Sequence, residues 1–209
     1  MASTSFYIDG FNLYHAIDGL NRPWLKWLNL KLLAQSYLRK GDELKRVCYF
    51  TSRMLYNPDK ARRHKRYVDA LTAVGVEVIS SKFLSVDKYC NGYQRWCKFQ
   101  EEKQTDVAMA TTYLIDAMQN FTERIVLVTA DSDQIPAVKA VRENRPLISI
   151  ELAAPPGRLN QARELGALFE TSPSEIKPGR LEGCLLPRTV YSDTGRVAST
   201  CPVEYTPPY

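Results

Sequence analysis

Two short, unbroken apolar runs, each cut off by an aspartate-bearing turn, constrain the fold of this chain more than any other feature. Ser5-Phe6-Tyr7-Ile8 closes on Asp9-Gly10-Phe11-Asn12, and Arg124-Ile125-Val126-Leu127-Val128 closes on Thr129-Ala130-Asp131-Ser132-Asp133. Runs of this length without polar alternation read as strands buried on both faces, as in a parallel sheet. In an open α/β sheet, functional groups gather at the carboxyl ends of strands, where the strand order reverses. With the two runs as neighbours there, Asp9, Asp131 and Asp133 face one another across a crevice. Carboxylates at that density repel unless a cation holds them together. A hard divalent ion with oxygen ligands, Mg²⁺ or Mn²⁺, suits such a donor set.

The remaining pattern alternates strands with helices. Residues 12–18 read as a short helix, and Asn29 caps a second with the stripe Leu30, Leu33, Ala34, Tyr37 and Leu38. Residues 46–52 form a second strand. Pro58 opens a long helix that Gly75 ends, and residues 76–83 form a third strand. A helix over 105–119 precedes the strand at 124–128. Further on, the pattern predicts a helix to about residue 143, a strand over 146–152 and a short helix over 160–168. This alternation implies a mainly parallel sheet with right-handed crossovers.

Two segments break the rhythm. Residues 84–103 are polar and aromatic, with Tyr89, Tyr93, Trp96 and Phe99, and suggest a hairpin or a lid reaching towards the site. Half of the 12 prolines fall in the last 39 residues, so the domain proper is expected over 1–170. Residues 171–209 then form an extension, either packed on the body or partly disordered. Val190, Tyr191, Val197 and Val203 around Thr194-Gly195 favour a short hairpin within it.

No run is long enough to span a bilayer, and the first residues lack the basic-then-apolar pattern of a signal peptide. A cytoplasmic protein without membrane contact is expected. The five cysteines are odd in number and irregularly spaced. Cys90 and Cys97 stand too far apart for the usual zinc spacing, which leaves buried or free thiols. The formal charge of +5 suits a polyanionic partner.

Each motif also has an ordinary reading. A strand-to-helix turn uses Asp, Gly and Asn without any site. A helix dipole alone favours Asp106, in Gln104-Thr105-Asp106, at the start of its helix, and Glu101, Glu102 and Lys103 beside it give it weight. An N-cap needs one Asp or Ser, whereas Thr129–Asp133 offers several, which favours function there. The run Lys60–Arg66 holds five Lys/Arg and one His in seven residues. It is either a solvated helix face or a phosphate contact that ignores base sequence, with Arg62, Arg63, Lys65 and Arg66 as the candidates. Trp96, Tyr93 and Phe99 could stack on bases or bury against the sheet. No G-x-G-x-x-G follows the first strand, and no Walker A or G-x-S-x-G sequence is present. With only His15 and His64, a two-histidine ribonuclease mechanism is disfavoured.

Asp9-Gly10-Phe11-Asn12-Leu13, Lys103-Gln104-Thr105-Asp106-Val107 and Val128-Thr129-Ala130-Asp131-Ser132-Asp133 together resemble the signature blocks of the NYN domain family. This is a branch of the PIN-like ribonucleases that includes the bacterial LabA-like proteins, and the likeness covers about residues 5–170. The resemblance implies a PIN-like Rossmannoid three-layer α/β sandwich with five parallel strands ordered 3-2-1-4-5. It also implies metal-dependent RNA cleavage, with Asp9, Asp106 and Asp131 as metal ligands and Asp133 and Asn12 as their supports. The segment 84–99 and the proline-rich tail depart from the pattern. The expectation is therefore a Mg²⁺- or Mn²⁺-dependent endoribonuclease acting on RNA. A non-catalytic RNA-binding module, a DNA nuclease or other phosphoesterase, and a homodimer are left open.

Overall fold

The computed structural model describes residues 2–53, 57–90, 92 and 94–207, with side chains for all of these except 53, 82–88 and 98–103. Along the chain run β1 (Ser3–Asp9), α1 (Gly10–Asp18), α2 (Leu30–Gln35), β2 (Glu43–Arg53), α3 (Pro58–Ala73), β3 (Glu77–Cys90), β4 (Arg95–Lys103) and α4 (Thr105–Met118). Then follow β5 (Arg124–Val128), α5 (Ile135–Asn144), β6 (Ser149–Ala154), α6 (Arg163–Gly166), β7 (Ser174–Glu175), α7 (Pro178–Glu182), β8 (Thr189–Tyr191) and β9 (Val197–Thr200).

The main sheet has the order β4-β3-β2-β1-β5-β6-β7. The expected five strands stand in their expected order, as β3-β2-β1-β5-β6, and all pair in parallel. Two edge strands extend them: β4 antiparallel to β3 and the short β7 parallel to β6. The chain builds outward from β1 through β2 and β3, then returns to β5 on the other side. The order therefore reverses between β1 and β5, where a crevice opens at the carboxyl edge.

Period-two alternation sends successive strand side chains to opposite faces. Phe6, Ile8, Val47, Tyr49, Val126 and Val128 pack against α1, α2, α3 and α7. Tyr7, Cys48, Phe50, Ile125 and Leu127 pack against α4, α5 and α6. The result is a three-layer α/β sandwich. Among the polar groups buried within it, the Tyr7 hydroxyl donates to Asp116 Oδ2 on α4 at 2.6 Å, and Arg46 Nη1 reaches the same carboxylate at 2.8 Å.

The hairpin suggested at 84–103 is present, although β3 runs past residue 83 to Cys90 before the chain turns back as β4. Several boundaries differ from the sequence reading. Pro146 and Leu147 lie in a turn, with Leu147 97% exposed, so β6 starts at Ser149. The last crossover helix keeps only one turn, α6. Beyond it the chain packs back onto the body. Asn29 N–H donates to Cys184 O at 2.7 Å, Leu186 N–H to Trp27 O at 3.0 Å, and Trp27 Nε1 to Pro187 O at 2.9 Å. β8 and β9 form the hairpin expected at Thr194-Gly195, with Gly195 at φ +75°. Val203 falls outside it and is exposed.

Candidate active site

The register of β1 against β5 pairs Ile8 with Val128, so the chain leaves the sheet at Asp9 and Thr129 on one level. Asp9 is buried and caps α1: Asn12 N–H donates to its Oδ1 at 2.9 Å. The Thr129 hydroxyl donates to Asp9 Oδ2 at 2.9 Å, and Thr129 Oγ1 in turn accepts the Asp131 N–H at 3.1 Å. Asp131 caps the short 3-10 turn Ser132–Gln134 by accepting the Asp133 N–H at 2.9 Å. The ordinary and the functional readings of these aspartates therefore coexist. Capping fixes the carboxylates in place at the crevice.

Asp106 arrives from a third direction. Gln104, at φ +75°, reverses the chain out of β4. Thr105, 5% exposed, then anchors the start of α4, its hydroxyl bonding Ser52 Oγ at 3.2 Å and also Ser81 Oγ. Buried Gln134 Nε2 donates to Asp106 O at 3.3 Å. In consequence Asp9, Asp106 and Asp131 each present an oxygen within 4.8 Å of the others. This donor set contains only carboxylate oxygens, with no thiol or imidazole, and it fits a hard divalent cation. Asp133 is exposed and lies outside that group. It and Asn12 hold the ligands through backbone N–H groups, while Asn12 Oδ1 is buried without a hydrogen-bond partner.

Beside the carboxylates, at the carboxyl end of β2, opens a cleft of about 150 Å³ lined by Gly10, Thr51 and Ser52 among others. Gly10 is required there, because a Cβ would stand 2.5 Å from Phe50 O and 2.6 Å from the Tyr49 ring. The cleft divides the basic run of α3. Arg63 lines it with Lys60 and His64, one helical turn apart, whereas Arg62, Lys65 and Arg66 do not. Arg62 and Lys65 are exposed and pair with Asp59 at 2.8 Å and Asp69 at 2.7 Å. His15 also lines the cleft, stacked edge-on against Phe11 with centroids 4.3 Å apart. The sequence reading missed Lys26 and Tyr205, which also line the cleft. No local signal marks them, since they belong to separate segments.

Trp96 stands on β4, 69% exposed, with Tyr89 across the ladder at 5.9 Å between ring centroids. Tyr93 and the side chains of Phe99, Glu101, Glu102 and Lys103 lie outside the described residues. Cys90 and Cys97 are free thiols whose ladder partners are Arg95 and Lys88 rather than each other.

Residues 3–165 match the NYN domain. The chain belongs to the NYN domain family. The NYN domain is a PIN-like nuclease fold, and the converging aspartates agree with a divalent metal site of that family. A solved structure of a Vibrio parahaemolyticus protein of unknown function shares the fold, with a TM-score of 0.55 at 15% identity, over 88% of this chain and 96% of that one. The NYN chain is also 25% identical to a Pseudomonas putida protein named 6-hydroxy-3-succinoylpyridine 3-monooxygenase, over 90% of this chain and 71% of that protein. No helix among the described residues is long and apolar enough to cross a membrane.

Proposed function

We propose that this protein is a metal-dependent endoribonuclease, hydrolysing RNA phosphodiester bonds at the aspartate cluster. The observation that carries this reading is the approach of Asp9, Asp106 and Asp131 to within 4.8 Å at the strand-order reversal. Three negative charges so placed are costly alone and become favourable around Mg²⁺ or Mn²⁺. Such an ion, when bound, activates water and neutralises charge on the scissile phosphate. The chain's own residues do the positioning: Thr129 and the Asn12 N–H orient Asp9, and the Asp133 N–H orients Asp131. The basic face of α3 supplies phosphate contacts along the RNA backbone.

Asp9→Asn, Asp106→Asn and Asp131→Asn should each lower cleavage at least ~100-fold, the scale of losing a charge-stabilising group, with the fold retained. Incubation with total RNA and Mn²⁺ should give 5′-phosphate and 3′-hydroxyl ends, and a chelator should stop the reaction. Near-wild-type activity in any two of the variants would remove the assignment. Preferential cutting of DNA in a parallel incubation would redirect it to that polymer. The named monooxygenase relative suggests a second reading, in which a small heteroaromatic acid in the aromatic cleft takes one atom of dioxygen while a two-electron reductant carries the other to water. Reductant- and substrate-dependent consumption of dioxygen, without RNA cleavage, would favour it.

A further inference from the structure

We infer that the cleft beside the aspartates is a nucleotide subsite that holds one nucleobase with its phosphate, and that Tyr205 from the C-terminal segment forms its outer wall. The polymer expected there rests on the nuclease reading, whereas the ligand chemistry rests on the lining. The volume of about 150 Å³ is that of a cavity able to take one six-membered ring. Its inner wall is the Tyr49–Tyr67 pair, packed edge-to-face on each other at 5.9 Å, and Tyr14 and Tyr205 also line it. Stacking on the accessible rings of Tyr14 and Tyr205 tolerates any base. Cations reach the same space from two sides. Lys26 Nζ, paired with Asp18, stands 4.7 Å from the Tyr14 ring centre and 6.0 Å from that of Tyr205, while Lys60 and Arg63 enter from α3. Aromatic faces beside several cations suit a planar base carrying a phosphate. Gly10, which follows Asp9, also lines the cleft, so a nucleotide held there lies next to the carboxylates.

The C-terminal segment already places an anion in this arrangement. Glu204 pairs with Arg63 at 2.9 Å, which seats the adjacent Tyr205 at the rim. An incoming phosphate competes with that carboxylate for Arg63. Neighbouring substitutions should therefore act in opposite directions.

The test is titration of the full chain in chelator, where no cleavage occurs, with 5′-AMP, 5′-UMP, their nucleosides, a 2′-O-methyl RNA trinucleotide and nicotinate as a heteroaromatic carboxylate. The monophosphates should bind saturably, and the nucleosides about 10-fold more weakly. Tyr205→Ala should weaken nucleotide binding by about 10-fold, the scale of one stacked base, and Tyr205→Phe should restore it. Glu204→Gln should tighten binding several-fold, which a merely structural role would not do. Tighter binding of the trinucleotide assigns the subsite to an RNA chain, and equal binding assigns it to a free nucleotide; both support it. Absence of saturable nucleotide binding, preference for nicotinate, or full binding by Tyr205→Ala would overturn it. Nucleotide binding without RNA cleavage would sink the nuclease reading alone. Cleavage with an unchanged KM in Tyr205→Ala and Arg63→Ala would sink the subsite alone.

Discussion

At the scale of single residues, the site depends on side chains that do two things at once. Asp9 caps α1 with one oxygen and accepts from Thr129 with the other, leaving its remaining lone pairs directed by that frame. Gly10 next to it has no room for a methyl group against Phe50 O and Tyr49. Gly10→Ala should cost about 1–3 kcal/mol, as overpacking does, and should lower cleavage as well by moving Asp9. Thermal unfolding read beside activity checks this, and a fully active, fully stable variant would mean that the turn is soft. The thiols sort by burial. Burial pushes the Cys48 thiol up to about 12 and the Cys201 thiol up to about 11, and it also raises Cys184. Since the thiolate is the reactive form, a raised pKa leaves little of it at neutral pH. Iodoacetamide at about pH 8 should label Cys90 and Cys97 in the folded protein and reach the other three only after denaturation. Mass spectrometry of the labelled peptides decides, and early labelling of Cys48 would contradict its placement between sheet and α4.

At the scale of elements, α3 has two faces with different work. Arg63, Lys60 and His64 look into the cleft, while Arg62, Lys65 and Arg66 lie outside its lining. Exposed pairs such as Arg62–Asp59 contribute little to stability, so those cations are available to phosphates at small cost. Changing Arg62, Arg63 and Arg66 to Ala should raise KM and flatten the salt dependence of RNA binding, by about one in slope for each phosphate that is no longer neutralised. An unaltered slope would mean that the run is only a solvated face. The β3–β4 extension was legible from the sequence only as a hairpin or a lid, without its strand bounds. Its polar and aromatic residues carry no clean alternation, and its pairing comes from being an edge ladder with exposed side chains such as Trp96.

At the scale of the whole molecule, residues 171–207 are part of the fold's core. Ile176, Leu181, Leu186 and Val190 are buried in the same cluster as Phe6 and Ile8. Each such side chain contributes about 1.5–3 kcal/mol by its burial. Truncation after residue 170 should therefore remove several kcal/mol. At about 2–4 °C per kcal/mol for a chain of this size, the melting temperature should fall steeply, and the loss of Tyr205 should open the cleft. A truncated chain that melts like the full one would show the segment to be an appendage.

What the sequence determined by itself is what neighbouring residues can encode: the apolar runs at β1 and β5, the Asn29 cap, the Pro58 start of α3, and the three aspartate motifs. From these a mainly parallel sheet with right-handed crossovers and two sides of the crevice were legible, whereas the order of the five strands came from the resemblance to the NYN domain family. The family resemblance named Asp106 with Asp9 and Asp131, but only the tertiary structure shows what brings it to them. That meeting depends on Thr105 docking against Ser52 and Ser81, residues far apart in the chain. Only it, likewise, set Lys26, Arg63 and Tyr205 around one cleft and laid the proline-rich segment over the body. The physical reason is one of range. Periodicity and capping are satisfied within a turn or two, whereas a cleft is made where segments meet whose sequences carry no record of each other.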